Sequence, residues 1–312
     1  MIEKEKIIID TDIGDDIDDA FAIAYAMASP ELDIIGVTTV YKNVRQRSYM
    51  AKALLCAGGF DSVPVYEGLN NPIKEPMSRF PYEKLDESGL AYLRHYNPSM
   101  DVYKYEEGSA IDFILDSADK YPNEVTLVAI GPLTNVAVAY QTRPESFKKL
   151  KRIVLMNGWF GAVCPEWNVM CDPEATKIVY GCGVSVTSVG ANCTRQVEVF
   201  DDHLAKIRSL TGPVGDLLND MLTIWFDDNK RRCVMHDSLA LSVLLGDFVK
   251  FEQQNIVVPV DEPFFRGFTI KTDGFVHGRE KGYSTINASV SVDAKGFLDS
   301  FTDRLIRFTS KI

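Results

Sequence analysis

No long apolar run, no basic tract and no paired-cysteine motif occurs in this chain of 312 residues. Nothing approaches the ~20 consecutive apolar residues needed to span a bilayer, and the N-terminal MIEKEKIIID has no apolar segment of signal-peptide length. A cytoplasmic protein is the expectation. The 33 lysines and arginines are scattered and outnumbered by 44 acids, for a net charge of -11. Such a balance argues against nucleic acid and anionic membrane as partners. Six cysteines stand apart without a CxxC pair, so they read as reduced thiols, not as a disulfide framework or a zinc site. No internal repeat, low-complexity stretch or Pro/Gly/Ser-rich linker divides the chain, and residues 1–312 read as one domain.

What the chain does have is alternation. Strands are predicted at Ile7–Ile9, Leu32–Val40, Val63–Tyr66, Val125–Ile130, Ile153–Leu155 and Val184–Val189. Between them the apolar spacing predicts helices over Asp19–Ala28, Val44–Ala57, Ser109–Lys120, Thr134–Gln141 and Pro173–Gly181. Continuous apolar strands separated by helices are strands buried on both faces. The fold class is therefore α/β, with a mainly parallel central sheet flanked by helices. Ile256 to Val292 is strand-rich, Gly296–Ser310 reads as a closing helix, and Asn70–Asn97, the least periodic stretch, reads as a loop or lid.

The segment IIIDTDIGDDIDDAFAIAYAM, Ile7–Met27, places six aspartates (Asp10, Asp12, Asp15, Asp16, Asp18 and Asp19) in ten residues. With Ile7–Ile9 a buried strand, Asp10 and Asp12 fall at or past its C-terminal end, where open α/β sheets bind ligands. Gly14 permits a tight turn, and Asp18 and Asp19 open a helix whose N-terminus favours negative charge. Capping accounts for one or two of these acids, not six. Hard oxygen donors converging from one loop point to Ca2+ or Mg2+. An EF-hand fits poorly, because Phe21 occupies the closing acid position of a 12-residue loop. The phosphatase pattern hhhDxDx(T/V), whose first aspartate is the nucleophile, fits only in part, since its last position is Gly14.

Four further stretches accompany the loop. They are GVTTVYKNV (Gly36–Val44), ending near Asn43; LVAIGPLTNVAVA (Leu127–Ala139); PEWNVMCDPEA (Pro165–Ala175), with Glu166 and Asn168 two residues apart; and VMHDSLAL (Val234–Leu241), with His236 beside Asp237. Singly, each has an ordinary explanation: Asn43 as a turn residue, Asn135 and Asp172 as helix caps, His236 as a structural histidine. In this order, with the acidic loop, they resemble the nucleoside hydrolase family, the inosine-uridine preferring type and its relatives. That family carries a DTDPGxDDA-like opening, then TTVxGN, GPLTN, AE(F/W)NxxxDPEA and VHD. RGFTIKTDG (Arg266–Gly274) and NASVSVDAKGF (Asn287–Phe297) resemble its closing strands, so the likeness covers nearly the whole chain.

The resemblance implies hydrolysis of the N-glycosidic bond of a ribonucleoside or related N-riboside, to ribose and free base, through an oxocarbenium-like transition state. It implies a Ca2+ ion at the pocket floor, held by Asp10, Asp19, Asp237 and the backbone carbonyl of Ile130, and holding in turn the attacking water and ribose hydroxyls. Asp12 would take a proton from that water, and Asp18 would hold the 2′-hydroxyl. Asn43, Glu166 and Asn168 would bind the other sugar hydroxyls, and His236 would stand near the base as leaving-group acid. Carboxylates facing a cationic transition state would also stabilise it. A homo-oligomer, dimer or tetramer, serving purine or pyrimidine salvage is implied in the same way.

Four departures set the chain apart from this pattern. Its opening, DTDIGDDIDDA, is two residues longer, with the insertion at about Asp15–Asp16. The histidine of an HGxxGL segment is missing, Leu85 standing in its place. The loop Met156–Glu166 is short, which leaves Asn157 as the candidate for the 5′-hydroxyl. Trp225 and Phe226 stand where aromatics against the base are expected, although core packing of one helical face explains either one. Two alternatives stay open at this point: a metal-dependent phosphatase using Asp10, and a non-catalytic nucleoside- or ribose-binding protein.

Overall fold

The computed structural model describes residues 4–74, 84–227, 232–272 and 282–312. Among them nine strands form one sheet: β1 (Glu5–Thr11), β2 (Leu32–Thr39), β3 (Val65–Glu67), β4 (Val125–Ala129), β5 (Arg152–Met156), β6 (Val186–Val189), β7 (Val249–Val257), β8 (Ile270–Thr272) and β9 (Ser284–Val292). Their spatial order is β3-β2-β1-β4-β5-β6-β9-β7-β8. Strands β1 to β6 and β9 are parallel, while β7 runs antiparallel to β9, and β8 to β7. The mainly parallel α/β sheet expected from the sequence is the one found.

Strand β1 shows why. Ile7, Ile8 and Ile9 are all fully buried, and successive side chains leave a strand on opposite faces. Ile7 and Ile9 enter one core and Ile8 enters the other. Each such burial stabilises by about 1.5–3 kcal/mol, so a strand with no polar face settles between two helical layers. One layer holds α1 (Asp18–Met27), α2 (Val44–Ala57) and the closing helix Ala294–Thr309. There Phe301 packs edge-on against Phe21 at 5.9 Å and Tyr25 at 5.2 Å. The other layer holds α3 (Ala110–Lys120) and α4 (Thr134–Thr142).

Differences from the predicted elements have local causes. The strand predicted to Val40 ends at Thr39, because Tyr41 and Lys42 take left-handed φ angles of 68° and 58° and turn the chain into α2. The strand predicted at Val63–Tyr66 is Val65–Glu67, since Pro64 has no N–H for the ladder. Helices Asp201–Arg208 and Gly212–Phe226 were not among the predicted elements. Residues 75–83 of the suggested loop or lid, the end of RGFTIKTDG and part of the stretch before His236 lie outside the described residues. The rest of the lid is pinned: Leu85 and Ala91 bridge, and Asp86 Oδ2 accepts from Asn43 Nδ2 at 2.5 Å.

Sheet order positions the site. β1 lies between β2, which leads outward to β3, and β4, which leads the other way to β5 and β6. Crevices beyond the C-terminal ends of strands at such a reversal are where α/β folds bind ligands.

Candidate active site

A cavity of about 990 Å³ opens at that reversal, walled by Asp12, Lys42, Ile130 and Met156 from the C-terminal ends of β1, β2, β4 and β5 or just past them. Two glycines make room for it. Gly14, at φ 122°, turns the acidic loop, and a Cβ at Gly131 would lie 2.7 Å from Asp12 Oδ1.

The floor gathers carboxylates from two helix starts. Asp18 and Asp19 occupy the first turn of α1, and Asp237 the first turn of helix His236–Leu241. One oxygen from each lies within 4.8 Å of the others, and all three residues are buried. Burial raises Asp18 and Asp237 well above the usual carboxylate range, helped by repulsion from Asp16 and Asp19 at Asp18 and from Asp18 and Asp19 at Asp237, and burial raises Asp19 to about 6. Asp19 stays partly ionised through Thr11, whose hydroxyl donates to it at 2.5 Å. A divalent cation fits this donor set, being bound by hard oxygens and relieving the repulsion.

Asp10 is not brought into this cluster. It is fully buried and absent from the cavity wall; its Oδ1 accepts from Thr38 at 2.6 Å and Asn135 at 2.7 Å, a consequence of the pairing of Asp10 with Thr38 in the β1–β2 register. Burial raises its pKa to about 7. Its Oδ2 is buried with no hydrogen-bond partner among the described residues, so one oxygen of Asp10 is left for a cation or another donor. Asn135 is accordingly no helix cap: its amide bridges Asp10, the Thr39 carbonyl and the Leu69 N–H.

Asp12 faces the cavity and is held from behind. Arg47, fully buried, donates Nη1–H to the Asp12 carbonyl and, at 2.7 Å, to that of Ile13; its Nε–H meets the Tyr41 carbonyl at 2.7 Å. Its Nη2 meets Asp15 at 3.1 Å, and Lys42 Nζ reaches the same oxygen at 3.1 Å. Asp15 is therefore an anchor: it ties the acidic loop to the β2–α2 turn, and against the cost of burial the two cations, Arg47 first, hold it below the usual carboxylate range. Asp12 itself is pushed up by burial and by Asp19, and pulled down by Arg47 and Lys42.

Of the expected sugar-binding residues, Glu166 and Asn168 line the cavity. Glu166 accepts from the backbone N–H groups of Gly158, Asn168 and Val169 at 2.9–3.1 Å, and burial raises it to about 7. Asn168 donates its amide to the carbonyls of Ile130 and Met156 at 2.9 and 3.0 Å. Asn43 and Asn157 lie outside the cavity wall. Asn43 caps α2, its Oδ1 accepting from Gln46 N at 3.2 Å, and Asn157 Oδ1 accepts from the Tyr180 hydroxyl at 3.0 Å. Asp172, read as a cap, is one, accepting from Ala175 N at 3.0 Å.

His236 lies in the cavity wall, its Nδ1 2.6 Å from the Thr194 hydroxyl. Burial, then the charge of Arg195, lowers its pKa to about 4. Trp225 reaches the cavity, whereas Phe226 packs against the core. Lys42, Trp159 and Arg195 also line it and escaped the sequence reading. For Lys42 a signal existed, because TTVxGN has a glycine where this chain has a lysine.

Fold and site together are those of an N-glycosyl hydrolase. The sheet and its helices superpose on the purine-preferring ribonucleoside hydrolase from Gardnerella vaginalis with a TM-score of 0.81, at 29% identity, covering 99% of this chain and 100% of that one. The family profile of the inosine-uridine preferring nucleoside hydrolase matches residues 7–299, and the chain belongs to that family. Similar relatives include uridine nucleosidase 1 of Arabidopsis thaliana, 33% identical over 98% of this chain and 94% of that protein. The pyrimidine-specific ribonucleoside hydrolase RihB of Escherichia coli O157:H7 is 27% identical, covering 95% of each.

Proposed function

We propose that the protein, acting as one catalytic domain, cleaves the N-glycosidic bond of a ribonucleoside with water as the attacking group and Ca2+ at its acidic floor. One observation carries the proposal: Asp18, Asp19 and Asp237 present three buried carboxylates to one another in the same cavity as Asp12 and Glu166. Asp19 and Asp237 are two of the ligands the resemblance implies; the third carboxylate of the group is Asp18, and Ile130 shares the wall. A cation held there supplies Lewis acidity toward water and a grip on vicinal hydroxyls.

The chain's own residues do the rest. Asp12, raised by burial and by Asp19 and opposed by Arg47 and Lys42, accepts the proton of the attacking water in its ionised form. Glu166 and the Asn168 carbonyl oxygen accept from sugar hydroxyls, and the ring of carboxylates stabilises positive charge growing on the sugar. His236 is neutral near pH 7. Its Nδ1 pairs with the Thr194 hydroxyl, and in the tautomer protonated on Nε2 that proton hydrogen-bonds the departing base. The same resemblance supports a cytoplasmic homo-oligomer serving nucleoside salvage, which light scattering and localisation can test. Among the described residues no helix is long and apolar enough to cross a membrane.

The direct test is release of reducing sugar from uridine, inosine and other ribosides, with and without a chelator. Ribose released only in the presence of cation is expected. No ribose from any riboside, with calcium-replete protein, would sink the proposal, and tight riboside binding without product would favour the non-catalytic binder.

Burial of these acids also predicts a pH dependence. Asp10, Asp19 and Glu166 have folded pKa values of about 7, 6 and 7, above the 3.8–4.5 of free carboxyls. A raised folded pKa stabilises below the unfolded value and loses that effect as pH climbs through the folded one. Metal-free protein should therefore weaken from about pH 4.5 up to about 6 through Asp19 and up to about 7 through Asp10 and Glu166, by roughly 1.4 kcal/mol per pH unit for each group within its window. Ca2+ should raise the melting temperature more at pH 8 than at pH 5. A calcium effect independent of pH would place the ion elsewhere.

A further inference from the structure

Tyr41 and Lys42 are consecutive non-glycine residues with φ of 68° and 58°, a left-handed conformation that side chains with a Cβ disfavour. Hydrogen bonds from their N–H groups to the Leu69 and Asn70 carbonyls, both 2.8 Å, hold them there. Glycine would adopt this turn freely, so the lysine is kept at a cost. Its side chain runs inward: Lys42 is 3% exposed yet lines the cavity with Asp12 and Glu166. The other cations of the wall, Lys84, Arg94 and Arg195, are exposed.

Acceptors crowd the part of the wall that Asp12, Glu166 and the floor aspartates form. Asp12, Glu166 and the floor aspartates are acceptors when ionised. The Asn168 amide is committed to the Ile130 and Met156 carbonyls, and Trp225 Nε1 to the Arg232 carbonyl at 3.1 Å. A sugar hydroxyl has one proton to give and lone pairs to fill, and carboxylates serve only the proton. The ammonium of Lys42 supplies the missing half.

We propose that Lys42 is a substrate-binding residue that donates Nζ–H to one oxygen of the sugar, and that the inserted Asp15 is the positioning residue that aims it. The Asp15 carboxylate meets Lys42 and Arg47, each at 3.1 Å, so the ammonium is braced against a guanidinium that is itself fixed by three backbone carbonyls. The two-residue insertion and the lysine are thus two halves of one device. The inference rests on the riboside reading and adds to it a charged donor aimed at the sugar.

The test is a comparison across 2′-, 3′- and 5′-deoxy analogues of a hydrolysed riboside. Lys42→Met should lower kcat/KM on the parent about 10- to 100-fold, the scale of a lost charge-assisted hydrogen bond. On the one analogue that lacks the contacted oxygen it should change little. Lys42→Gly, which relaxes the turn, should fold at least as well and lose the same selectivity. Asp15→Asn should reproduce the pattern more weakly, chiefly in KM. Equal losses on every analogue, or none, would overturn the inference. Should the wild type release no sugar from any riboside, the hydrolase reading fails separately, and calorimetric affinities for the same analogues decide this one by the same pattern.

Discussion

Asp12→Asn is expected to reduce kcat on the best riboside about 10³-fold, the scale of a removed general base, while the protein folds normally. The carboxamide is nearly isosteric with the carboxylate, so it still clears Gly131, where a Cβ would come within 2.7 Å of Oδ1. Arg47 grips the Asp12 carbonyl rather than its side chain, so the loop keeps its anchor. The ionised carboxylate is also an electrostatic burden to the metal-free protein, pushed up by burial and by Asp19. The variant should therefore melt no lower than wild type without metal, and should still bind Ca2+ through Asp18, Asp19 and Asp237. Sugar release, melting temperature and calcium titration report the three separately. Turnover within about tenfold of wild type would remove Asp12 from the base role.

The fold was legible because its signals are local. Ile7, Ile8 and Ile9 leave a strand no solvent face, and α2 begins at Val44 and ends at Ala57 as the apolar spacing predicts. Element ends moved where a backbone feature intervened, at Pro64 and at the left-handed pair Tyr41 and Lys42. Among the candidate site residues, Asp12, Asp18, Asp19, Ile130, Glu166, Asn168, His236 and Asp237 converge on one cavity.

Asp10, Asn43 and Asn157 are not among the residues lining that cavity, though Asp10 Oδ2 and Asn157 Nδ2 are buried without a hydrogen-bond partner among the described residues. Side-chain direction at a strand end depends on partners distant along the chain. Oδ1 of Asp10 is taken by Thr38 and Asn135, Asn43 is held by Gln46 and Asp86, and Oδ1 of Asn157 is taken by Tyr180. Spacing could not supply those contacts. The role of Asp15 was opaque for the same reason, since its partners lie 27 and 32 residues further on, in Lys42 and Arg47.

Arg47→Met should cost the fold about 3–5 kcal/mol, the range for removing one member of a buried ionic network. Arg47 is fully buried, and its guanidinium satisfies the carbonyls of Tyr41, Asp12 and Ile13 together with the Asp15 carboxylate. Methionine refills most of the volume but none of the bonds, so the dominant loss is three carbonyls left without this donor. Denaturant midpoints measure it. The same change frees the acidic loop from the β2–α2 turn, so riboside turnover should fall even where the variant remains folded, and should fall further than in Asp15→Asn. Arg47→Lys should recover only part of either loss, because a point ammonium cannot match the planar fork that reaches four acceptors at once. The double variant Arg47→Met with Asp15→Asn should be less destabilised than the two single changes summed, since Asp15 has already lost one of its two cations. Strict additivity would mean that Asp15 and Arg47 do not act as a pair, and that the lengthened loop is held by the carbonyl contacts alone.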